Sequence, residues 1–463
     1  MPSSPVSASP VTPITCISWL ISLTVSVAAF LSPALWNGFP LVFFDTGGYV
    51  RRVLAMELTP GRSLFYGLFL WLSSFGWWSF YGPILVHVIC LVWLIHLVLR
   101  CHDVPAGPQA TAFFCVGLSI LTGISWYADQ LMPDILVPMA VLAFWLLGFR
   151  RQRLGWFECA GLTVIAQLAL LSHMSGMALA IGLALVILIA RFVVKKWGFS
   201  LTVTWQWPVA VVAASLVLMP LLHLALVGKA TYTPGGPVYI FGRLVQAGIA
   251  KRWLAEHCPV PGIKLCGLQD RIPSTGDEFL WGGKSAFRTL GGWSGAADKE
   301  LGYLVKACLK AYPGTVTWTA LQATVQQMVM IKSGDQLWEI HNDTRNVFTN
   351  LMPSPVSKAF NAARQQRGQT TQLLIEGINK VHVPVAHVSL FCLLLVICWG
   401  LRFGRHDLAA AALFIFIALI GNAFICGALS NPHDRYQGRL VWLATLVVGM
   451  SAVCWWQLRA KKS

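Results

Sequence analysis

Residues 80–99 read Phe80-Tyr81-Gly82-Pro83-Ile84-Leu85-Val86-His87-Val88-Ile89-Cys90-Leu91-Val92-Trp93-Leu94-Ile95-His96-Leu97-Val98-Leu99, and Arg100 follows at once. A stretch of this length without Asp, Glu, Lys or Arg makes about 30 Å of helix, the thickness of a bilayer's hydrocarbon core. Outward from it, similar apolar stretches occupy 14–35, 110–125, 131–148, 157–172, 176–194, 204–227, 385–401, 408–429 and 440–457. The chain is 56% hydrophobic and only 11% charged, where an ordinary soluble domain runs near a quarter charged. The expected fold is therefore an all-α polytopic membrane protein of about ten transmembrane helices. The Ser/Pro-rich start lacks the basic segment of a cleaved signal peptide, so 14–35 is expected to remain as the first span.

Orientation follows from Lys and Arg in the short connections, which are retained in the cytoplasm. With both termini inside, Arg100, Arg150 to Arg153, Lys195 with Lys196, Arg402 with Arg405, and Arg459 to Lys462 all fall on the cytoplasmic side. Much of the excess behind the formal net charge of +16 is assigned to topology, through these tracts, and nucleic acid is not an expected partner. The cysteines at 90, 115, 392 and 398 lie inside apolar runs, where a thiol behaves as a small hydrophobe.

The same threading divides the chain into membrane spans 1–7 (1–227), an extracytoplasmic insert (228–384) and spans 8–10 (385–463). A bacterial inner membrane with a periplasmic insert is the expected setting. The insert holds ten of the 18 acidic residues and is expected to be mostly helical, with Leu301, Leu304, Val305, Cys308 and Leu309 at helical spacing. Cys258 and Cys266 flank a short turn-rich segment, which in an oxidising compartment predicts a structural disulfide. Cys308, on the apolar stripe, is expected to be a buried thiol.

Polar clusters then emerge from distant loops on one membrane face. The first outer loop places Asp45 just past the first span, with Arg51 and Arg52 a turn or so later; a carboxylate at that depth is costly without a partner or a task. The bland alternative is an N-cap, with the arginines reaching lipid head groups. Within the same loop, 63–80 is aromatic and suits an interfacial helix. The second outer loop supplies Asp129 and Asp134, the latter after Pro133, where capping alone could explain it. His173 sits between two apolar runs, as suited to a polar turn as to a ligand. The last outer loop, Asn431 to Arg439, carries His433, Arg435, Tyr436 and Arg439 on the side that normally sheds positive charge. That set suits an anionic ligand such as a lipid-linked phosphate, against the alternative of head-group anchoring. In the insert, Trp338 to Arg345, including His341, could bind an acceptor or be a solvated loop. There is no phosphate-cradling Gly-rich loop ending in Lys-Ser/Thr, no His-Glu-x-x-His and no nucleophile elbow in a credible setting, which argues against an ATP-driven pump, a zincin protease and an α/β-hydrolase.

An Asp soon after the first span, an interfacial segment in the first outer loop, carboxylates in the second and a late extracytoplasmic insert together resemble the GT-C superfamily of integral membrane glycosyltransferases that use polyprenyl-phosphate sugars. Asp45 matches the family's first-loop acid, and Asp129 or Asp134 a second-loop acid; the first loop departs from the family in having Thr-Gly-Gly-Tyr after Asp45 rather than paired acids. The resemblance implies inverting transfer of a sugar from a polyprenyl phosphate in the membrane to an extracytoplasmic glycan, lipid or protein acceptor. Asp45 would be the general base, with Arg435, Arg439, His433 and Tyr436, joined by Arg51 or Arg52, holding the donor phosphate. His173 and His341 would be accessory or acceptor residues. No cofactor is implied with certainty, and a divalent cation is left open. Two other readings stand beside it: a transporter or flippase of lipid-linked sugars, which should carry ionisable residues at the bilayer midplane, and an O-antigen polymerase or ligase type of enzyme relying on Arg and His of the insert.

Overall fold

The computed structural model describes residues 13–56, 61–197, 201–230, 232 and 235–460. Lys461 and Lys462 of the terminal basic tract, and nearly all of the Ser/Pro-rich start, lie outside them. Among the described residues the named elements are all helical, and six helices are long and apolar enough to cross a membrane: Tyr81–Cys101, Met174–Lys196, Gln206–Val227, Gln372–Arg402, His406–Leu429 and Asp434–Ala460. Each coincides with an expected run. The remaining four runs fall on shorter apolar helices, Thr15–Phe30, Pro108–Leu121, Pro133–Phe149 and Trp156–Ser172. Their stops are local. Ser32-Pro33 opens a new short helix after the first, Thr122 is extended after the second, Pro133 begins its helix as a 3-10 turn, and His173 is extended after the fourth. The interfacial segment of the first outer loop becomes a helix at Leu64–Ser73, capped by the Ser63 hydroxyl.

Two cores stabilise the molecule. The larger runs through the apolar helices and takes in Phe348, Met352 and Phe360, which close over Phe39 and Phe80. The smaller belongs to residues 238–308, where Phe241, Phe279, Phe287, Leu301, Leu304 and Cys308 pack together. The expected insert thus packs as two regions, one with its own core and one laid on the membrane helices. Cys258 and Cys266 are bridged and Cys308 is a buried free thiol, while Leu309 of the predicted stripe is exposed. The helix expected to begin near 385 begins at Gln372 and carries Pro384 inside it.

Charge is segregated to the two ends of the helical body. At one end the basic turns are ion-paired, Arg100 with Glu158, Arg150 with Asp407 and Arg153 with Asp103. The outer loops and the insert gather at the other. There the first and second loops are joined by a single parallel bridge between Leu41 and Gln130: the Leu41 N–H donates to the Asp129 carbonyl and the Leu131 N–H to the Leu41 carbonyl, both at 2.9 Å. Gln365 extends this pairing, its side chain accepting from the Val42 N–H at 3.0 Å and donating to the Val42 carbonyl at 2.7 Å.

Candidate active site

The loop ahead of Asp45 is fixed on both sides. The Thr46 hydroxyl accepts from the Phe43 N–H at 3.0 Å and donates to the Leu131 carbonyl at 3.2 Å, so the turn 43–46 is tied to the second loop. From the insert, Thr344 accepts from the Gly47 N–H at 3.0 Å, and Asn342 and Thr344 donate to the Phe44 carbonyl. Asp45 occupies the N-cap position of helix Thr46–Ala55, yet its side chain makes no capping bond. Its carboxylate instead takes Arg62 on Oδ1, while Oδ2 lies 4.0 Å from the Arg435 guanidinium. The N-cap reading is therefore replaced by an ion pair.

Arg435 and Arg439 are placed by a correction to the expected last loop. The final helix begins at Asp434, not near 440. An acidic residue in the first turn favours that start, and the insert holds it: the Lys332 N–H donates to Asp434 at 3.0 Å, Asp335 accepts from the Arg435 N–H at 3.2 Å, and Gln327 both accepts from the His433 N–H and donates to its carbonyl. At a spacing of four the two arginines share one helix face. Both meet Asp134, Arg439 Nη1 at 3.1 Å and Arg435 Nε at 3.8 Å. Aromatic rings cover them: Phe43 lies 4.0 Å from the Arg435 guanidinium, and Tyr436 lies over both arginines at 5.1 and 5.7 Å. Buried this way, Arg435 and Arg439 are not head-group anchors.

The chain of polar contacts continues inward from Arg439. Its Nη2 donates to the Asn422 amide oxygen at 3.2 Å and to the Ser175 hydroxyl at 2.9 Å. Ser175 in turn lies 2.7 Å from His173 Nδ1, which also accepts the Ser175 N–H. Burial and then the Arg439 guanidinium depress the His173 pKa to about 3, so the ring is neutral. For Arg62, burial opposes the charge, but Asp45 more than offsets it and raises the pKa above the usual value. The result is a continuous network, Arg62, Asp45, Arg435, Asp134, Arg439, Ser175 and His173. It borders a cleft lined by Tyr49, Arg62, Ser63, His173, Met219 and His223 among others.

Other expected site residues lie apart from this network. Asp129 is buried, accepts the Ala34 N–H at 2.7 Å and has its pKa raised by burial, the Ala34 bond opposing in part. Its carboxylate is held by the short helix Ser32–Asn37, apart from the arginine network. Asp134 is fully buried behind two arginines, which makes it their positioning residue. Arg51 is exposed and paired with Asp343, and Arg52 is buried within its helix. His341 is 73% exposed beside Glu339. His433 sits at the rim, 3.3 Å from Asp277 of the insert. Arg62, Ser175 and Asn422 complete the network without having been singled out in the sequence. Arg62 had a signal, a basic residue in a loop that the expected threading puts on the outer face, against the positive-inside rule; Ser175 and Asn422 had none beyond their polarity. Among the described residues no group of three or more His, Cys, Asp or Glu side chains is placed to hold a metal ion. Comparison with protein-family models, curated proteins and solved structures finds no match to this chain.

Proposed function

We propose that the chain is an inverting membrane glycosyltransferase of GT-C type, transferring a sugar from a polyprenyl-phosphate donor to an acceptor on the outer face of a bacterial inner membrane, both termini being cytoplasmic. One observation carries this reading. Of the two carboxylates in the arginine network, Asp134 is fully buried while Asp45 keeps a fifth of its side chain exposed, and its partner Arg62 lines the adjoining cleft. Apolar residues, Leu171, Met174 and Met219, line the cleft on the side of the membrane helices, as suits entry of a lipid.

In this mechanism the acceptor hydroxyl gives its proton to Asp45 as its oxygen bonds to the anomeric carbon. The bond from that carbon to the phosphate oxygen breaks on the opposite side, and the lipid phosphate leaves with the electron pair. Arg62 and Arg435 hold the developing charge with charge-assisted bonds. Asp134 and Arg439 keep Arg435 aimed, and the neutral His173 closes the inner wall. The ten-span topology belongs to the same reading, with the four shorter apolar helices crossing in a bilayer thinned or shared by their neighbours.

The test is turnover in proteoliposomes supplied with polyprenyl-phosphate-linked sugars. Asp45→Asn should lower the rate by about 10² or more with expression and folding intact, because the amide keeps the shape but accepts no proton. A variant retaining more than about a tenth of the rate removes Asp45 as the base. Movement of the lipid-linked sugar across the bilayer without its consumption would instead favour a flippase.

A further inference from the structure

Next to Arg62, and outside the residues that line the cleft, the insert presents an aromatic and polar surface that the transfer chemistry leaves unused. Helix Gly276–Trp281 ends in Trp281, a residue 48% exposed. The indole is backed by Trp293 at 5.1 Å, which is itself braced by Tyr239 at 5.2 Å and Phe287 at 5.0 Å. The Arg62 guanidinium lies 6.0 Å from the Trp281 ring, so the residue that holds Asp45 also touches this surface. Four residues before Trp281, and so on the same helix face, is Asp277, with about half of its side chain exposed. Asn431 donates to one of its oxygens at 3.0 Å and His433 lies 3.3 Å from the other. The His433 bond comes first among the causes that hold the Asp277 carboxyl below the usual range, with burial opposing.

A braced, half-exposed indole beside an ionised carboxylate, an imidazole and a guanidinium matches one ligand chemistry well. A saccharide ring offers an apolar C–H face to stack on the indole and hydroxyls to donate to the carboxylate. We infer that Trp281 and Asp277 form the acceptor subsite and that the acceptor is a saccharide. The inference rests on the transferase reading, and its placement follows from the division of the site: the cleft of Leu171, Met174 and Met219 faces the apolar helices and suits the lipid donor, leaving the insert side of Arg62 to a water-soluble partner. A protein acceptor would need a groove or strand edge for backbone pairing. A lipid-facing role for Trp281 is disfavoured by its seat on the insert's own core, beside buried Phe279 and Leu280.

The experiment is saturation-transfer difference NMR on the full chain in nanodiscs with the methyl glycosides of glucose, galactose, mannose and arabinose. At least one should receive saturation on its ring C–H protons from the wild type. Trp281→Ala should weaken that binding about tenfold, and Trp281→Phe should largely restore it, which separates loss of stacking from loss of folding. No transfer to any glycoside, or transfer unchanged in Trp281→Ala, overturns the inference. Saccharide binding by a chain that transfers nothing from any polyprenyl-phosphate sugar would leave the subsite standing and remove the transferase reading instead.

Discussion

At Asp45 a carboxylate faces two guanidinium groups and still meets solvent, whereas at Asp129 a carboxylate is enclosed with a backbone N–H as its partner. The same residue type therefore does opposite work in neighbouring loops. Burial raises the Asp129 pKa well above the ordinary 3.8. A group whose folded pKa is raised contributes stability that is complete below its unfolded pKa and is lost as pH rises through the folded value. The stability of the wild type relative to Asp129→Asn should therefore fall as pH rises from about 4, while turnover of the variant stays within a factor of a few of the wild type. Thermal unfolding of the two proteins across that range measures the difference, and a pH-independent difference would show that Asp129 does not titrate on folding. In the sequence these residues were legible as polar exceptions in apolar surroundings. Their separate roles were not, because a partner such as Arg62 or the Ala34 N–H is brought up by packing between segments, which no local pattern records.

The element that best shows this is helix Thr46–Ala55. Its Thr46-Gly47-Gly48-Tyr49 start departs from an acid-rich loop, and the two glycines have different reasons. A Cβ on Gly47 would stand 2.6 Å from the Thr344 Cα, whereas one on Gly48 would meet Arg62 Cγ at 3.6 Å, an ordinary contact. Gly47 is thus the point at which the insert closes on the first loop. Gly47→Ala should lower stability by roughly 1–3 kcal/mol through overpacking. Gly48→Ala should be neutral or gain up to about 1 kcal/mol, since Ala is the better helix residue. Unfolding midpoints of the purified variants decide it; equal effects would mean the insert does not press on Gly47. The final helix makes a related point. Its apolar run was readable from 440, but its first six residues are polar, and they are helical because Asp335 and Gln327 of the insert satisfy the backbone there.

Across the whole molecule, segregation of charge is the organising fact. One end carries the basic turns that composition and the positive-inside rule make readable, among them Arg100, Arg150 and Arg153, each tied to an acid. The other carries arginines that the expected threading sets against the rule, and Arg62, Arg435 and Arg439 among them are drawn into the network with Asp45 and Asp134. Six helices long and apolar enough to cross a membrane fall on apolar runs readable in the sequence. The four shorter ones show where Pro, Gly and polar residues cut a run before it reaches spanning length, which hydropathy averaged over a window passes over. Reporter fusions after Arg153 and Arg405 should read cytoplasmic and a fusion near Thr275 extracytoplasmic; a cytoplasmic signal at Thr275 would put the network on the wrong face for a polyprenyl-phosphate donor used outside. The central claim, that this network receives a lipid-linked phosphate sugar, is tested most directly by native mass spectrometry of the protein released from its own membrane. A polyprenyl-phosphate adduct, with or without a sugar, that is present in the wild type and lost in Arg62→Ala and Arg435→Ala is the expected result. Adducts of bulk phospholipid alone, equal in all three proteins, would contradict it.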